Sequence, residues 1–250
     1  MSLAVYEFPL NEKVRNYLRV EHLFNALHDP DKICKQHSEV QFFRDFFTLL
    51  DLIERIDLKT ELLRDLKNYT LVLDAWMDFP NVDKATLHRT KASTEQYISD
   101  LLNTTRIGKA LKTDKFLSAI RQRFSIPGAT CSFDLPKLHY WLSLPEQQKL
   151  SDCKRWLSNL SLLEQSVQQA LSFIRNRKHL VDTLAENGFY QGVADNKVEL
   201  IRIEQNDGQG YYPTLSGNKY RYSIRFMRFT PEDDQAASMD ENIAFKMACC

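Results

Sequence analysis

Three side chains between positions 131 and 139 supply the groups that nucleophilic catalysis requires. Cys131 offers a thiol, Asp134 a carboxylate and His139 an imidazole, which could serve as nucleophile, orienting acid and base. Closeness in sequence does not establish the geometry of a catalytic site, and Asp134 stands just before Pro136, where a helix would begin. We interpret Asp134 as a helix cap and keep a hydrolase built on Cys131 or His139 as an alternative.

Metal and nucleotide sites have equally little support in the sequence. His28, Cys34 and His37 are the nearest approach to a zinc site, but such a site needs about four ligands at short spacings. Neither GxxxxGK[ST] nor GxGxxG occurs, so no glycine-rich turn is offered to a phosphate. We expect no metal, no cofactor and no catalytic residue.

The overall charge and the cysteines limit the class of protein. The chain has 33 basic and 33 acidic residues, so no net charge draws it to nucleic acid or to a membrane surface. Residues 1–8 lack the features of a signal peptide, and no apolar run approaches the roughly 20 residues that span a bilayer. The five cysteines are odd in number, which is typical of reduced thiols. We expect a cytoplasmic protein without membrane insertion.

Positive charge is nevertheless concentrated in two stretches of this neutral chain. Between residues 101 and 133 the only acid is Asp114, and residues 208–231 contain no acid. The basic residues of the first stretch are Arg106, Lys109, Lys112, Lys115, Arg121 and Arg123. Those of the second are Lys219, Arg221, Arg225 and Arg228. Any electrostatic binding must therefore be local.

Lys219, Arg221 and Arg225 lie at alternating positions of a predicted strand and so share one face. The opposite face is apolar, with Tyr220, Tyr222, Ile224 and Phe226. An ordinary solvated surface is one reading of this pattern. The planar fork of arginine, which binds carboxylates and phosphates in a bidentate manner, favours an anionic partner instead. Nucleic acid is the rival ligand, although the neutral charge and the absence of a known motif argue against it.

The elements that position these residues are mostly helices. Apolar residues recur at intervals of three and four through most of the first 184 residues. Asn11, Asp83 and Asp114 stand at positions where they would cap helices. The predicted helices begin at Asn11 and Ser38 and cover residues 58–77, 83–103, 114–124, 134–141, 146–157 and 161–184. Asn187-Gly188 is interpreted as the stop of the last helix.

Beyond Gly188 the period changes to two, which predicts strands up to Phe229. Residues 243–248 and 3–8 are expected to join the same sheet, and residues 230–241 to form an exposed acidic loop. The fold class is therefore α+β. We expect a mainly α-helical domain, a helical bundle, over residues 10–186. A smaller antiparallel β-sheet domain is expected from residues 1–9 and 187–250.

Several strings along the whole chain resemble those of the ZapD family of cell division proteins. They are FPLNEKVR (8–15), TELL (60–63), RIG (106–108), RQRFSIPG (121–128), CSFDLP (131–136), NGFYQ (187–191), RFM (225–227) and the closing ACC (248–250). The resemblance implies a helical domain joined to a β domain, and a homodimer. It also implies binding to the C-terminal tail of FtsZ and bundling of FtsZ protofilaments at the midcell division ring, without enzymatic activity.

The resemblance also implies a basic binding surface. The matching positions in this chain are Arg19, Lys115, Arg121, Arg123, His139, Arg221 and Arg225. Lys115 stands where an arginine is expected in relatives, and lysine keeps the charge but loses the fork. His139 on its short helix fits a core or capping role as well as a contact role.

Overall fold

The computed structural model describes residues 3–28, 38–80, 82–195, 197–218, 220–229 and 237–250. The chain forms two compact units, one of Arg19–Ala170 and one of Met1–Leu18 with Leu171–Cys250. The fold is α+β, as the sequence predicts. None of the helices in the described part of the chain is long and apolar enough to cross a bilayer.

Helices dominate the chain up to residue 175. Their bounds are α1 Glu12–Leu27, α2 Ser38–Arg55, α3 Leu58–Trp76, α4 Lys84–Asn103, α5 Lys109–Thr113, α6 Lys115–Phe124, α7 Pro136–Leu142, α8 Glu146–Ser158 and α9 Ser161–Arg175. The three predicted caps are confirmed. Asn11 Oδ1 accepts a hydrogen bond from the Val14 amide, and Asp83 and Asp114 accept bonds from amides in the first turns of α4 and α6.

An aromatic cluster centred on Phe43 forms the core of the helical unit. Phe43 on α2 is fully buried. Its ring centroid lies 5.0 Å from that of Trp141 on α7 and 5.7 Å from that of Trp156 on α8. On α6, the rings of Phe116 and Phe124 lie 6.0 and 6.1 Å from it. One side chain of α2 therefore holds three other helices.

Seven strands form two antiparallel sheets. Their bounds are β1 Leu3–Pro9, β2 Val181–Ala185, β3 Phe189–Val193, β4 Leu200–Asn206, β5 Tyr211–Gly217, β6 Arg221–Arg228 and β7 Ile243–Cys249. One sheet has the order β1-β4-β7-β2 and the other β3-β6-β5. Both β1 and β7 pair with β4, which confirms that the first and last strands share a sheet. The prediction of a single sheet is wrong, because β3, β5 and β6 form a second sheet of their own.

The two sheets bury a common core. Ile203 of β4 and Phe245 of β7 contribute from the four-stranded sheet, and Ile224 and Phe226 of β6 from the three-stranded sheet. The rings of Phe226 and Phe245 lie 5.1 Å apart. Because side chains alternate along a strand, the odd-numbered residues of β6 point away from this core.

One predicted helix end is wrong. Helix α9 stops at Arg175, and residues 181–184, predicted as the end of this helix, lie in strand β2. Asn187-Gly188 is therefore a β-hairpin turn between β2 and β3, not a helix stop. Asn187 has φ 50° and Gly188 has φ 67°, and two positive φ values are typical of the type I′ turn that favours Asn-Gly.

Gly188 makes this turn sensitive to substitution. A Cβ at Gly188 would lie 2.4 Å from the carbonyl oxygen of Met239. The positive φ of this residue would also strain any side chain other than that of glycine. We expect Gly188→Ala to lower the free energy of unfolding by about 2–4 kcal/mol in chemical denaturation. The control is Gly208→Ala, where φ is +75° and no atom lies within 4 Å of the added Cβ. It should cost only about 1 kcal/mol, and equal losses would contradict the steric argument.

Candidate protein-binding surface

The outward face of β6 carries two exposed arginines. Arg221 and Arg225 are exposed, whereas the alternating residues Tyr222, Ile224 and Phe226 are buried. The predicted separation of a basic face from an apolar face is confirmed for these five residues. Lys219, predicted to share the basic face, lies outside the described residues.

Cross-strand neighbours surround Arg225. In the β-sheet register Phe189 of β3 and Thr214 of β5 stand opposite it, so all three side chains share one face. The guanidinium carbon of Arg225 lies 5.5 Å from the centroid of the Phe189 ring, within cation–π distance. The aromatic ring holds the guanidinium over the sheet without neutralising it.

Arg221 borders a shallow depression on the same face. Its volume is about 350 Å³, and Gln191, Ser216 and Ser223 line it together with Arg221. These neutral polar groups offer hydrogen bonds to a ligand beside the guanidinium.

Tyr222 anchors β6 from the core side of the sheet. Its hydroxyl contacts the thiol of Cys249 at 3.2 Å. Burial, together with this bond, raises the pKa of Tyr222, so the phenol stays neutral at physiological pH. Gly217 next to it has no room for a side chain, because an added Cβ would lie 2.7 Å from the Cβ of Tyr222. The backbone that presents Arg221 is therefore tightly packed.

No carboxylate balances the arginines on this sheet. Strands β3, β5 and β6 contain neither aspartate nor glutamate. Within the part of the chain that the structure describes, Arg221 and Arg225 form no ion pair. An anionic ligand would meet cations that no carboxylate of the described residues pairs with.

The helical basic stretch is different, because acids from elsewhere in the sequence reach it. Arg121 on α6 forms ion pairs with Asp51 and, at 2.8 Å, with Glu54, both on α2. Lys112 approaches the same Glu54 at 3.1 Å. The hydrogen bond from Arg121 lowers the pKa of Glu54 below its ordinary value. The positive charge that the sequence concentrates in residues 101–133 is therefore offset in the fold at Arg121 and Lys112.

A groove of about 970 Å³ runs between α2 and α6, and the charges of Arg121, Asp51 and Glu54 within it are already paired with one another. Asp51, Glu54 and Arg121 line it together with Phe47 and Phe124. A ligand entering here would have to displace the internal carboxylates from Arg121. The groove is a weaker candidate than the face of β6.

Asp134 does not cap a helix, contrary to the prediction. The N-cap position of α7 is Leu135, and no side chain caps it. Asp134 instead accepts a hydrogen bond from the Cys131 thiol at 3.2 Å and pairs with Arg123 at 2.8 Å. His139 is exposed on α7 and, within the described residues, forms no hydrogen bond with Cys131 or Asp134. In the described part of the chain, Asp134 therefore contacts Cys131 and Arg123, and His139 is not hydrogen-bonded to either other member of the predicted trio.

The remaining predicted residues lie in different places. Arg19 is exposed on α1, and Lys115 is the exposed first residue of α6. Of the possible zinc ligands, Cys34 and His37 lie outside the described residues, and His28 contacts Glu164 at 2.8 Å.

Phe189, Gln191, Thr214 and Ser216 also belong to this face, and none of them is predicted as a site residue from the sequence. They join the site only through strand pairing with β6, and alternation within β3 and β5 is the sole signal that they share a face. The register that brings them beside the arginines depends on how the strands pair, which the alternation within a single strand does not reveal.

Comparison with known proteins identifies a family. The family model described as "ZapD: Cell division protein" matches residues 18–225. Cell division protein ZapD of Vibrio vulnificus strain CMCP6 is 40% identical over 250 residues, covering all of both chains. The ZapD of Vibrio cholerae O1 strain M66-2 is 38% identical over the same full length. That of Serratia proteamaculans is 37% identical over 247 residues, 99% of this chain and 97% of the relative.

The ion pairs of Arg121 predict a structural role that Arg221 and Arg225 lack. We expect Arg121→Ala to lower the free energy of unfolding by about 0.5–1 kcal/mol near pH 7, because α6 loses its pairs with α2. The pKa of Glu54 lies below its ordinary 4.5 in the folded chain, so this stabilisation is present above that value and is lost as pH falls through the folded-state pKa. Urea denaturation at pH 7 and at about pH 3 measures both effects.

The same measurement on Arg221→Ala serves as the control and should show no change at either pH. A loss for Arg121→Ala that persisted undiminished at the lower pH would contradict an ionic cause.

Proposed function

The chain belongs to the ZapD family of cell division proteins, and we propose that it is a non-enzymatic crosslinker that binds the C-terminal tail of FtsZ. As a homodimer it would hold two FtsZ protofilaments together and so support assembly and stability of the division ring at midcell, in the cytoplasm. The observation that carries the proposal is the outward face of β6, where Arg221 and Arg225 are exposed and have no carboxylate in the three strands of their sheet.

The chemistry of this face suits an extended anionic peptide. Arginine forks bind carboxylates in a bidentate manner, and the neutral side chains of Gln191 and Ser216 can bond to a peptide backbone. Phe189 is 39% exposed and Val193, opposite Arg221, is 86% exposed. These two apolar side chains would cover uncharged residues of the tail, so the face combines charge with apolar contact.

The other basic positions are proposed as additional contacts. They are Arg19, Lys115, Arg121, Arg123, His139 and Lys219. Arg121 and Arg123 would have to exchange their internal carboxylates for those of the tail, which reduces the net gain from each. We therefore rank them below Arg221 and Arg225.

A homodimer can crosslink filaments even if each of its two binding sites has only modest affinity for the tail. A twofold dimer presents two identical faces, and a filament displays many tails. Once one tail is bound, the second binds at a high effective concentration, so weak single contacts can bundle filaments.

Nucleic acid is the alternative ligand of the same face, because phosphates also bind arginine forks. The negatively charged phosphate backbone of a nucleic acid binds best to a protein with an excess of basic residues, whereas this chain has a formal net charge of zero. The alternative predicts that single-stranded DNA or RNA competes with the FtsZ tail for Arg221 and Arg225, which a competition titration tests.

Substituting both exposed arginines tests the proposal. We expect Arg221→Ala with Arg225→Ala to weaken binding of an FtsZ tail peptide at least about tenfold, since each charge-assisted bond contributes about 1.5–3 kcal/mol. Fluorescence anisotropy of a labelled peptide measures this, and sedimentation of FtsZ polymers should show fewer bundles. The free energy of unfolding should change by less than about 0.5 kcal/mol, because both side chains are exposed.

The matched control is Lys246→Ala, which removes an exposed strand cation from the four-stranded sheet. Its peptide affinity should equal that of the unsubstituted chain. Unchanged affinity in the double variant would sink the proposed site. Loss of affinity together with stability would mean that the arginines are structural.

Replacing the thiol tests the hydrolase alternative. We expect Cys131→Ser to leave peptide binding and bundling unchanged, because the thiol of Cys131 donates to the carboxylate of Asp134 and a serine hydroxyl can do the same. The same sedimentation assay measures bundling. A loss of bundling with an unchanged circular dichroism spectrum would instead assign a role to the thiol.

A further inference from the structure

Strand β3 is an edge of the three-stranded sheet, and most of its outer side is unpaired. In that sheet β3 pairs only with β6. At the turn Phe189 forms a single bridge with Glu186, and β2 then pairs with β7 in the other sheet. Within the described ranges, no strand is hydrogen-bonded to the outer side of β3 from Gln191 onward.

The pairing with β6 shows which backbone groups of β3 point outward. The amide of Ala194, just after β3, donates to the carbonyl oxygen of Tyr220 at 2.8 Å. Hydrogen-bonded positions alternate along an antiparallel pair, so the even-numbered residues of β3 bond to β6. The backbone amides and carbonyls of Gln191 and Val193 therefore point away from β6. No backbone group of the described residues bonds to them.

The other edge of the same sheet, β5, is closed to a further strand. The amide of Phe229 donates to the carbonyl oxygen of Gly210 at 2.8 Å, so the odd-numbered residues of β5 point outward. One of them is Pro213, which has no amide hydrogen to offer. The outward carbonyl of Tyr211 already accepts a hydrogen bond from Nε2 of Gln205 at 3.1 Å. Edge strands are commonly protected in such ways, and β3 lacks this protection.

The open edge runs beside the two exposed arginines. In the register of β3 with β6, Val193 stands opposite Arg221 and Phe189 opposite Arg225. These are the non-hydrogen-bonded positions of an antiparallel pair, where opposite side chains come closest. The guanidinium carbon of Arg225 lies 5.5 Å from the centroid of the Phe189 ring, so this side chain extends from β6 over β3. Its charge is thereby brought towards the place of an added strand.

We propose that an extended acidic peptide binds as a fourth strand on the outer edge of β3. Its backbone would bond to Gln191 and Val193, and its outward-facing carboxylates would bind Arg221 and Arg225. Because the two arginines stand four positions apart on one face of β6, the matching carboxylates would also stand four positions apart. The inference rests on the proposed function, in which the FtsZ tail is this peptide, and it adds recognition of the peptide backbone.

Other occupants fit this edge less well. A nucleic acid can reach the arginines, but it has no alternating amide and carbonyl groups to pair with Gln191 and Val193. A second copy of β3 has these groups, but it would bring another acid-free basic face beside the first. An acidic peptide in extended conformation supplies both the backbone groups and the opposite charge.

Methylating single backbone nitrogens of the FtsZ tail peptide tests the strand pairing. Only every second residue of an added strand turns its amide towards β3, and a methyl group there removes the donor and obstructs the approach. We expect the affinity, measured by fluorescence anisotropy, to fall about tenfold at alternate positions and less than about twofold at the positions between them. Losses without this period of two would overturn the inference.

Proline at Val193 tests the same bond from the side of the protein. Val193→Pro removes an outward amide hydrogen, whereas Val193→Ala keeps it and shortens the same exposed side chain. The proline variant should bind the tail peptide about three- to tenfold more weakly than the alanine variant. Equal affinities of the two variants, with equal urea midpoints, would contradict a strand on this edge.

Amide hydrogen exchange measured by NMR needs no variant, so it holds whatever Val193→Pro does to the fold. In the free chain the amides of Tyr190 and Gly192 should exchange slowly, because they bond to β6, and those of Gln191 and Val193 quickly. Saturation with the tail peptide should slow exchange at Gln191 and Val193 at least about tenfold. Slow exchange there without peptide, rising with protein concentration, would assign the edge to a second copy and overturn the inference.

The outcomes separate this inference from the proposed function. Peptide binding that depends on Arg221 and Arg225, without periodic losses on methylation and without protection of Gln191 and Val193, would overturn strand addition and leave the proposed function standing. Failure of the unmodified peptide to bind the unsubstituted chain would overturn both.

Discussion

The burial of Phe43 is the contact on which the helical unit depends. Its ring touches aromatic side chains from α6, α7 and α8, so three segments that are distant in sequence are placed against α2 by one residue. Docking α6 on α2 brings Arg121 within reach of Asp51 and Glu54. Aromatic packing thus decides the electrostatics of this surface, because charges follow the helices that carry them.

In the unit that contains the strands, burial of apolar side chains also decides where the charges lie, but here it leaves two arginines exposed. Tyr222, Ile224 and Phe226 face a core shared with the four-stranded sheet, which turns Arg221 and Arg225 outward. Their neighbours in the sheet come from β3 and β5, and neither strand contains an acid. Two basic stretches that look alike in the sequence therefore differ in the fold. Arg121 of the helical stretch is paired internally, whereas the arginines of the strand keep their charge available to a ligand.

The proposed ligand-binding face is cationic and lies on a tightly packed strand. Tyr222 and Gly217 fix the backbone that presents Arg221, because the Tyr222 hydroxyl contacts the Cys249 thiol and an added Cβ at Gly217 would collide with Tyr222. A substitution of the exposed arginines can therefore alter affinity for the tail without altering the packing beneath them.

Local rules in the sequence determined the fold class, most helix bounds, the caps at Asn11, Asp83 and Asp114, and the two faces of β6. These features depend on residues within three or four positions, so periodicity and side-chain type suffice. The tertiary structure alone decided that Asn187-Gly188 turns a hairpin, that Asp134 holds Arg123 and Cys131, and that Glu54 neutralises Arg121. Each depends on which distant segment packs alongside, and a count of charges along the chain does not contain that information.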